Sequence, residues 1–169
     1  MRKRLFFLLF SLICLAFSSS AGAVSLSLDG AVLPVEAALE GGVCYVPLRA
    51  AAAQLAPGAA VSWAEGRALV ESPALRLSVR PGDLYMEANG RFLYAPQGIR
   101  LIGGRVWVPL RALAKAFGAG VIWEGSTQTA LLSRGSGGIQ SGSSFYDPAE
   151  LFWLARIIEA EAGGARLSN

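Results

Sequence analysis

The chain has 169 residues, 53% of them hydrophobic and 16% charged. That balance fits one packed domain with appendages and excludes a disordered polyelectrolyte. The formal charge of +3 comes from Arg2, Lys3 and Arg4. Without them the basic residues (15 − 3 = 12) equal the 12 acids, so no basic excess remains to hold nucleic acid.

Residues 1–23 read as a secretory signal peptide. Arg2-Lys3-Arg4 is the charged start, Leu5 to Phe17 the apolar stretch interrupted by Ser11, and Ala21-Gly22-Ala23 the small-residue cleavage site. The apolar stretch is short of the roughly 20 residues a membrane span needs. The expectation is export with cleavage, and no stable membrane span afterwards. An uncleaved anchor is the alternative; lipidation at Cys14 is disfavoured by the bulky Ile13 before it. Cleavage leaves Cys44 as the only cysteine, so the fold has no internal disulfide and rests on its core. Cys44 alternates with Tyr45 and Val46 in a strand, which suits a buried, inert thiol.

Ser25–Leu28 and Ala31–Val35 read as the arms of a hairpin turning at Asp29-Gly30. Pro34 confines its strand to an edge or a bulge, and Glu36–Glu40 is a connector without an assignment. Then comes a stretch that occurs twice. Gly41-Gly42-Val43-Cys44-Tyr45-Val46-Pro47-Leu48-Arg49-Ala50 aligns without a gap to Gly103-Gly104-Arg105-Val106-Trp107-Val108-Pro109-Leu110-Arg111-Ala112. Each copy reads as a strand running into a helix, with proline at the first helical position. Leu48, Ala51, Ala52 and Leu55 share one helical face, as do Leu110, Leu113, Ala114 and Phe117. Pro57-Gly58 ends one helix, and Gly118 with Gly120 the other. A strand ending in Trp63 or Trp123 follows, then a closing strand, Ala68–Glu71 or Thr129–Leu132.

Between the copies, Leu75–Val79 alternates as a strand with one wet face. Arg80-Pro81-Gly82-Asp83 is a turn, and Leu84–Glu87 with Arg91–Tyr94 flank Asn89-Gly90 as a second hairpin. The predicted fold class is therefore α+β: two pseudo-repeated hairpin, strand, helix, hairpin units forming one small domain over residues 24–134. Residues 135–145, rich in glycine and serine, read as a flexible linker. Residues 146–169 open a further helix, with Asp147 as N-cap, Pro148 in the first position and Glu150 as capping-box partner. Leu151, Leu154, Ala155 and Ile158 make its apolar stripe, which one helix on a linker cannot bury alone.

Histidine is absent, which removes the commonest general base and metal ligand. One cysteine and Met86 cannot make a transition-metal site in the exported chain. No glycine-rich phosphate loop or nucleophile elbow occurs, and no cofactor is expected. Arg49 and Arg111 recur near the two helix starts. They read either as contacts to an anionic ligand or as structural groups, stacked on Trp63 and Trp123 or paired with carboxylates; recurrence with the fold favours the structural role. Tyr45, Trp63, Trp107 and Trp123 read as core residues ahead of glycan-stacking ones. Glu161 lies close to the Leu154–Ile158 stripe at 100° per residue, whereas Glu159 projects to the other side. Burial there would raise its pKa and suit a general acid. A helix-end glutamate reaching solvent is the equal alternative.

The segment V-P-L-R-A-L-A-K-A-F-G-A-G-V-I-W-E-G, with its upstream Asn89-Gly90 hairpin, resembles the copper amine oxidase N-terminal-like domain family, and the likeness covers about residues 25–134. It implies an α+β fold with two pseudo-equivalent halves, used as a non-catalytic stalk for surface or wall binding. The missing histidines argue against copper. The tail from Tyr146 to Gly164, above all L-A-R-I-I-x-A-E-A-x-G, resembles the opening of the cell wall hydrolase family that includes spore cortex-lytic enzymes. That likeness implies that Glu161 is the catalytic acid in cleaving the glycan strand of peptidoglycan, by hydrolysis or as a lytic transglycosylase. The family's next glutamate is Ala165 here.

Together these give an exported, cell-wall-associated protein whose partner is peptidoglycan or another wall glycan. Its repeat domain is a wall-binding or spacer module for a peptidoglycan hydrolase of the spore-cortex type. Residues 146–169 are the N-terminal fragment of that hydrolase, so the chain alone is expected to be inactive. The alternative is a non-catalytic surface-binding or scaffold protein.

Overall fold

The computed structural model describes residues 24–145 and 147–164; the leader expected over residues 1–23 lies outside them. The fold is mixed α+β and built mostly of strands. The strands are β1 (Ser25–Leu28), β2 (Ala31–Val32), β3 (Ala38–Glu40) and β4 (Val43–Pro47), and helix α1 (Leu48–Leu55) follows. Next come β5 (Ala60–Ala64), β6 (Arg67–Ser72), β7 (Leu75–Val79), β8 (Tyr85–Ala88), β9 (Arg91–Tyr94), β10 (Arg100–Ile102) and β11 (Arg105–Pro109). Helix α2 (Leu110–Ala116), β12 (Gly120–Glu124) and β13 (Thr129–Ser133) complete the body. A short 3-10 turn (Gly142–Phe145) precedes helix α3 (Pro148–Gly164).

Local chemistry explains most boundaries. Asp29 and Gly30 take φ of 52° and 85°, and Asn89 and Gly90 take 49° and 75°. Those paired left-handed residues make the type I′ turns that match the twist of two-residue hairpins. β2 stops before Pro34, which has no N–H for a ladder. The unassigned Glu36–Glu40 stretch contains β3, which folds back on β4 across Gly41-Gly42; β10 does the same on β11 across Gly103-Gly104.

Pro47 and Pro109 differ from expectation by one position. Each is the last strand residue and sits at the helix N-cap, with ψ of 122° and 123°. Proline fixes φ near −65°, a value strand and helix share. Pairing with Trp107 and with Tyr45 keeps each proline in the ladder.

Three sheets result, with orders β12-β13-β1-β2, β10-β11-β4-β3 and β5-β6-β7-β8-β9. β4 and β11 are antiparallel at the centre of the second sheet, with Val46 opposite Val108, both fully buried. β1 joins β13 in parallel, Ser25 beside Thr129 and Leu28 beside Leu132. α1 lies on β4 and β11, and α2 on β4, β9, β11 and β12. Leu48, Ala51, Ala52 and Leu55 are buried on the predicted face of α1, as are Leu110, Leu113, Ala114 and Phe117 on that of α2. One continuous core links both helices to all three sheets, and each fully buried leucine contributes about 1.5–3 kcal/mol.

Residues 135–145, whose composition reads as a linker, run along the body as far as Gly142. Ile139 donates its N–H to Ala116 O at 2.8 Å and accepts from Asn89 Nδ2 at 2.7 Å, and Gly142 N–H reaches Asn89 O at 2.9 Å. Ile139 also packs against the core. The glycines here serve close approach: a Cβ at Gly135 would overlap the Gly118 carbonyl, and one at Gly138 the Ala74 carbonyl. α3 is capped as expected, with Ala149 N–H donating to Asp147 Oδ1 at 2.8 Å. Its residues from Leu151 to Ala162 are all exposed.

Candidate binding grooves

Two grooves flank the central sheet, and sequence-matched residues line both. The first, about 560 Å³, lies beside α1 and is lined by Pro47, Leu48, Arg49, Val61, Trp63 and Ala68, with the β10–β11 hairpin opposite. The second, about 480 Å³, lies beside α2 and is lined by Pro109, Leu110, Arg111, Val121, Trp123 and Ala130, with the β3–β4 hairpin opposite. Both volumes fall in the range of small-ligand clefts. The strand-to-helix junction places each arginine. Leu48 or Leu110 turns into the core, and the next residue therefore points out.

The structural roles considered for the arginines are not formed. Neither Arg49 nor Arg111 pairs with a carboxylate among the described residues, and neither guanidinium stacks on Trp63 or Trp123. The ion pairs belong to other arginines: Arg105 with Glu36 at 2.8 Å, Arg134 with Asp29 at 3.1 Å, Arg76 with Glu71 at 3.2 Å, and Arg100 with Glu40. Trp63 is 53% exposed and Trp123 half-buried, so both offer ring surface to their grooves. Trp107 leaves the set of ligand candidates. It is 4% exposed, its ring lies under Arg105, and its indole N–H finds no partner.

Tyr45, the residue matching Trp107, is satisfied. Its buried hydroxyl is shared between Pro96 O at 3.0 Å and Gly98 O at 2.9 Å, and burial raises its pKa. Cys44 borders the second groove, and burial pushes its thiol up to about 11. That suits the inert role expected of it.

Sequence reasoning missed Tyr94 and Lys115, which also line the second groove. The signal for Tyr94 was an aromatic on the wet side of a hairpin strand whose other face is Leu93. The signal for Lys115 was a second cation on α2, one turn after Arg111, where the first copy has Ala53. Glu161 is not brought together with either arginine in any groove lining, and it is exposed. The apolar enclosure that a general acid needs is not formed around it by the described residues. Histidine is absent, and no three of Cys, Asp and Glu gather as metal ligands among the described residues. The donor set does not fit copper.

Mostly antiparallel sheets around two short helices, with a groove beside each helix, define a domain of the α+β class. The model of the copper amine oxidase N-terminal domain family matches residues 27–132. The chain belongs to that family, whose domain is a generic stalk-like module. A search of curated proteins finds no match.

Proposed function

We propose that the protein is exported and associated with the cell wall. In this reading residues 1–23 direct export, the body binds or spaces from the wall, and α3 opens a peptidoglycan-cleaving domain. Glu161 is then the general acid. It protonates the glycosidic oxygen as the bond to the anomeric carbon breaks, and the sugar cation is captured by water or by its own hydroxyl.

The observation that carries the reading is the state of α3. The helix is formed and capped, yet Phe152, Trp153, Leu154, Ile157 and Ile158 are each more than half exposed. An apolar surface of that kind calls for a second body to cover it, and the sequence around Glu161 supplies the likeness to a wall hydrolase. The test is release of soluble glycan fragments from purified peptidoglycan by the protein, joined to any coding sequence that continues past Asn169. Loss of release in Glu161→Gln supports the assignment, and unchanged release overturns it.

The same reading takes the body as two pseudo-equivalent units. Its support is the register at the centre, where Tyr45 faces Pro109 and Pro47 faces Trp107 about the Val46–Val108 pair. The palindromic order β10-β11-β4-β3 adds to it. β13 pairs with β1 directly, whereas β7 stands between β6 and β8, so β7 is an insertion into one of two like sheets. A scaffold without chemistry is the second reading. The open setting of Glu161 favours it, and retention of the chain on insoluble wall without any release would establish it.

A further inference from the structure

The two grooves share a frame but differ in what the chain adds to it. Beside α1, Arg49 is the one lining cation without a carboxylate partner among the described residues, because Arg105 on the opposite wall is tied to Glu36 at 2.8 Å. Beside α2, Arg111 and Lys115 line the groove and also the recess that adjoins it, and Arg91 lines that recess. No Asp or Glu lines either hollow, and none of the three cations has a carboxylate partner among the described residues. Arg91 rests on the Phe145 ring at 4.5 Å, a contact that orients its charge without neutralising it. Residues 24–169 carry equal numbers of acids and bases, so this cluster is a local segregation of positive charge. Gathered like charges repel, and an anion relieves them.

Aromatic surface follows the same asymmetry. Tyr94, 70% exposed, stands at the lip of the second groove. Its cross-strand partner Tyr85 meets Phe92 edge to face at 5.2 Å, and Phe92 is 68% exposed. The first hairpin has Pro34 and Val32 at the positions of Tyr94 and Phe92. Flat aromatic faces next to unpaired cations match a polymer of sugar rings carrying carboxylates: ring C–H faces lie on the aromatics, and carboxylates meet guanidinium and ammonium groups.

We infer that the groove beside α2 binds a carboxylate-bearing glycan strand, with sugar rings against Tyr94 and Trp123 and successive carboxylates on Arg111, Lys115 and Arg91. The strand follows the lip toward Tyr85 and Phe92. This assignment rests on the wall-associated reading for the source of the glycan.

The test uses the full exported chain and soluble peptidoglycan strands, free or with their carboxylates amidated, and poly-glutamate as a third probe. Calorimetric titration should show binding to the free strands that amidation weakens about tenfold or more. The double variant Arg111→Ala/Lys115→Ala should lose about as much, Tyr94→Ala about threefold, and Arg49→Ala less than about twofold. All four positions are exposed, and circular dichroism checks that each variant folds. An equal loss in Arg49→Ala, or poly-glutamate binding as tightly as the strands, overturns the site. Strand binding undiminished in the double variant overturns the site and leaves wall association standing. If the chain binds no strand at all, both fall.

Discussion

Tyr45 shows what a single side chain contributes here. Its hydroxyl holds the Pro96 and Gly98 carbonyls from across the chain. Tyr45→Phe leaves those carbonyls without a donor and should lower stability by about 1–2 kcal/mol in urea unfolding. Burial raises the Tyr45 pKa above 10.0. Its contribution is therefore complete below pH 10.0 and fades as pH climbs through the raised value. The Phe variant should lose that part of the alkaline destabilisation. Glu124 shifts the other way, its carboxylate held low by the Ser126 hydroxyl at 2.7 Å and then by the Ser126 backbone N–H. A carbon-detected NMR titration should place Glu124 below the ordinary carboxylate range, and Ser126→Ala should move it up. The lowered pKa favours the fold above the ordinary carboxylate value, and that preference disappears as pH falls through the folded value. At this scale the sequence singled out Arg49 and Arg111 with Trp63 and Trp123, and in the fold each arginine lines a groove with one of those tryptophans without stacking on it. The sequence could not reveal that neither is paired with a carboxylate among the described residues, because such pairs join elements distant in sequence. Trp107 and Trp63 were read alike, as core ahead of ligand contact, and only the fold separates them, because exposure depends on what is laid over a ring.

Among the elements, the strands and helices with a clear period were legible. β7 matches its expected span, Leu75–Val79, because alternate burial repeats at every second residue. β3 and β10 were not legible. They are three residues long and have no period to show. The glycine-rich stretch after β13 misled for a different reason. Glycine frees an unconstrained chain, but it also lets one backbone lie directly on another. At Gly138 the second use holds, with Ala74 O where a Cβ would stand. Gly138→Ala should destabilise the body by about 1–3 kcal/mol in a denaturation midpoint, and a free linker would show no change. Helix α3 depends on its own cap. Asp147→Ala should remove the bond to Ala149 N–H and lower its helical content, at about 1 kcal/mol.

The whole molecule is held by one core that reaches both small helices and every sheet, while α3 keeps its apolar residues outside it. Amide exchange should reflect that division. Protection should be greatest in β4 and β11 around Val46 and Val108, and lowest in α3. Equal protection in α3 would place the helix within the same cooperative unit. The duplicated strand–helix stretch was plain in the sequence because duplication is visible as text. The joining of the first hairpin to the last was not, since parallel pairing across nearly the whole body leaves no local mark. That joining has a temporal meaning. β1 is the first strand to leave any narrow exit traversed from the N-terminus, and its neighbour β13 is the last. The opening strand must wait, unpaired on that side, until almost all of the domain has emerged. Such an arrangement defers closure of that sheet until nearly the whole domain is available to fold.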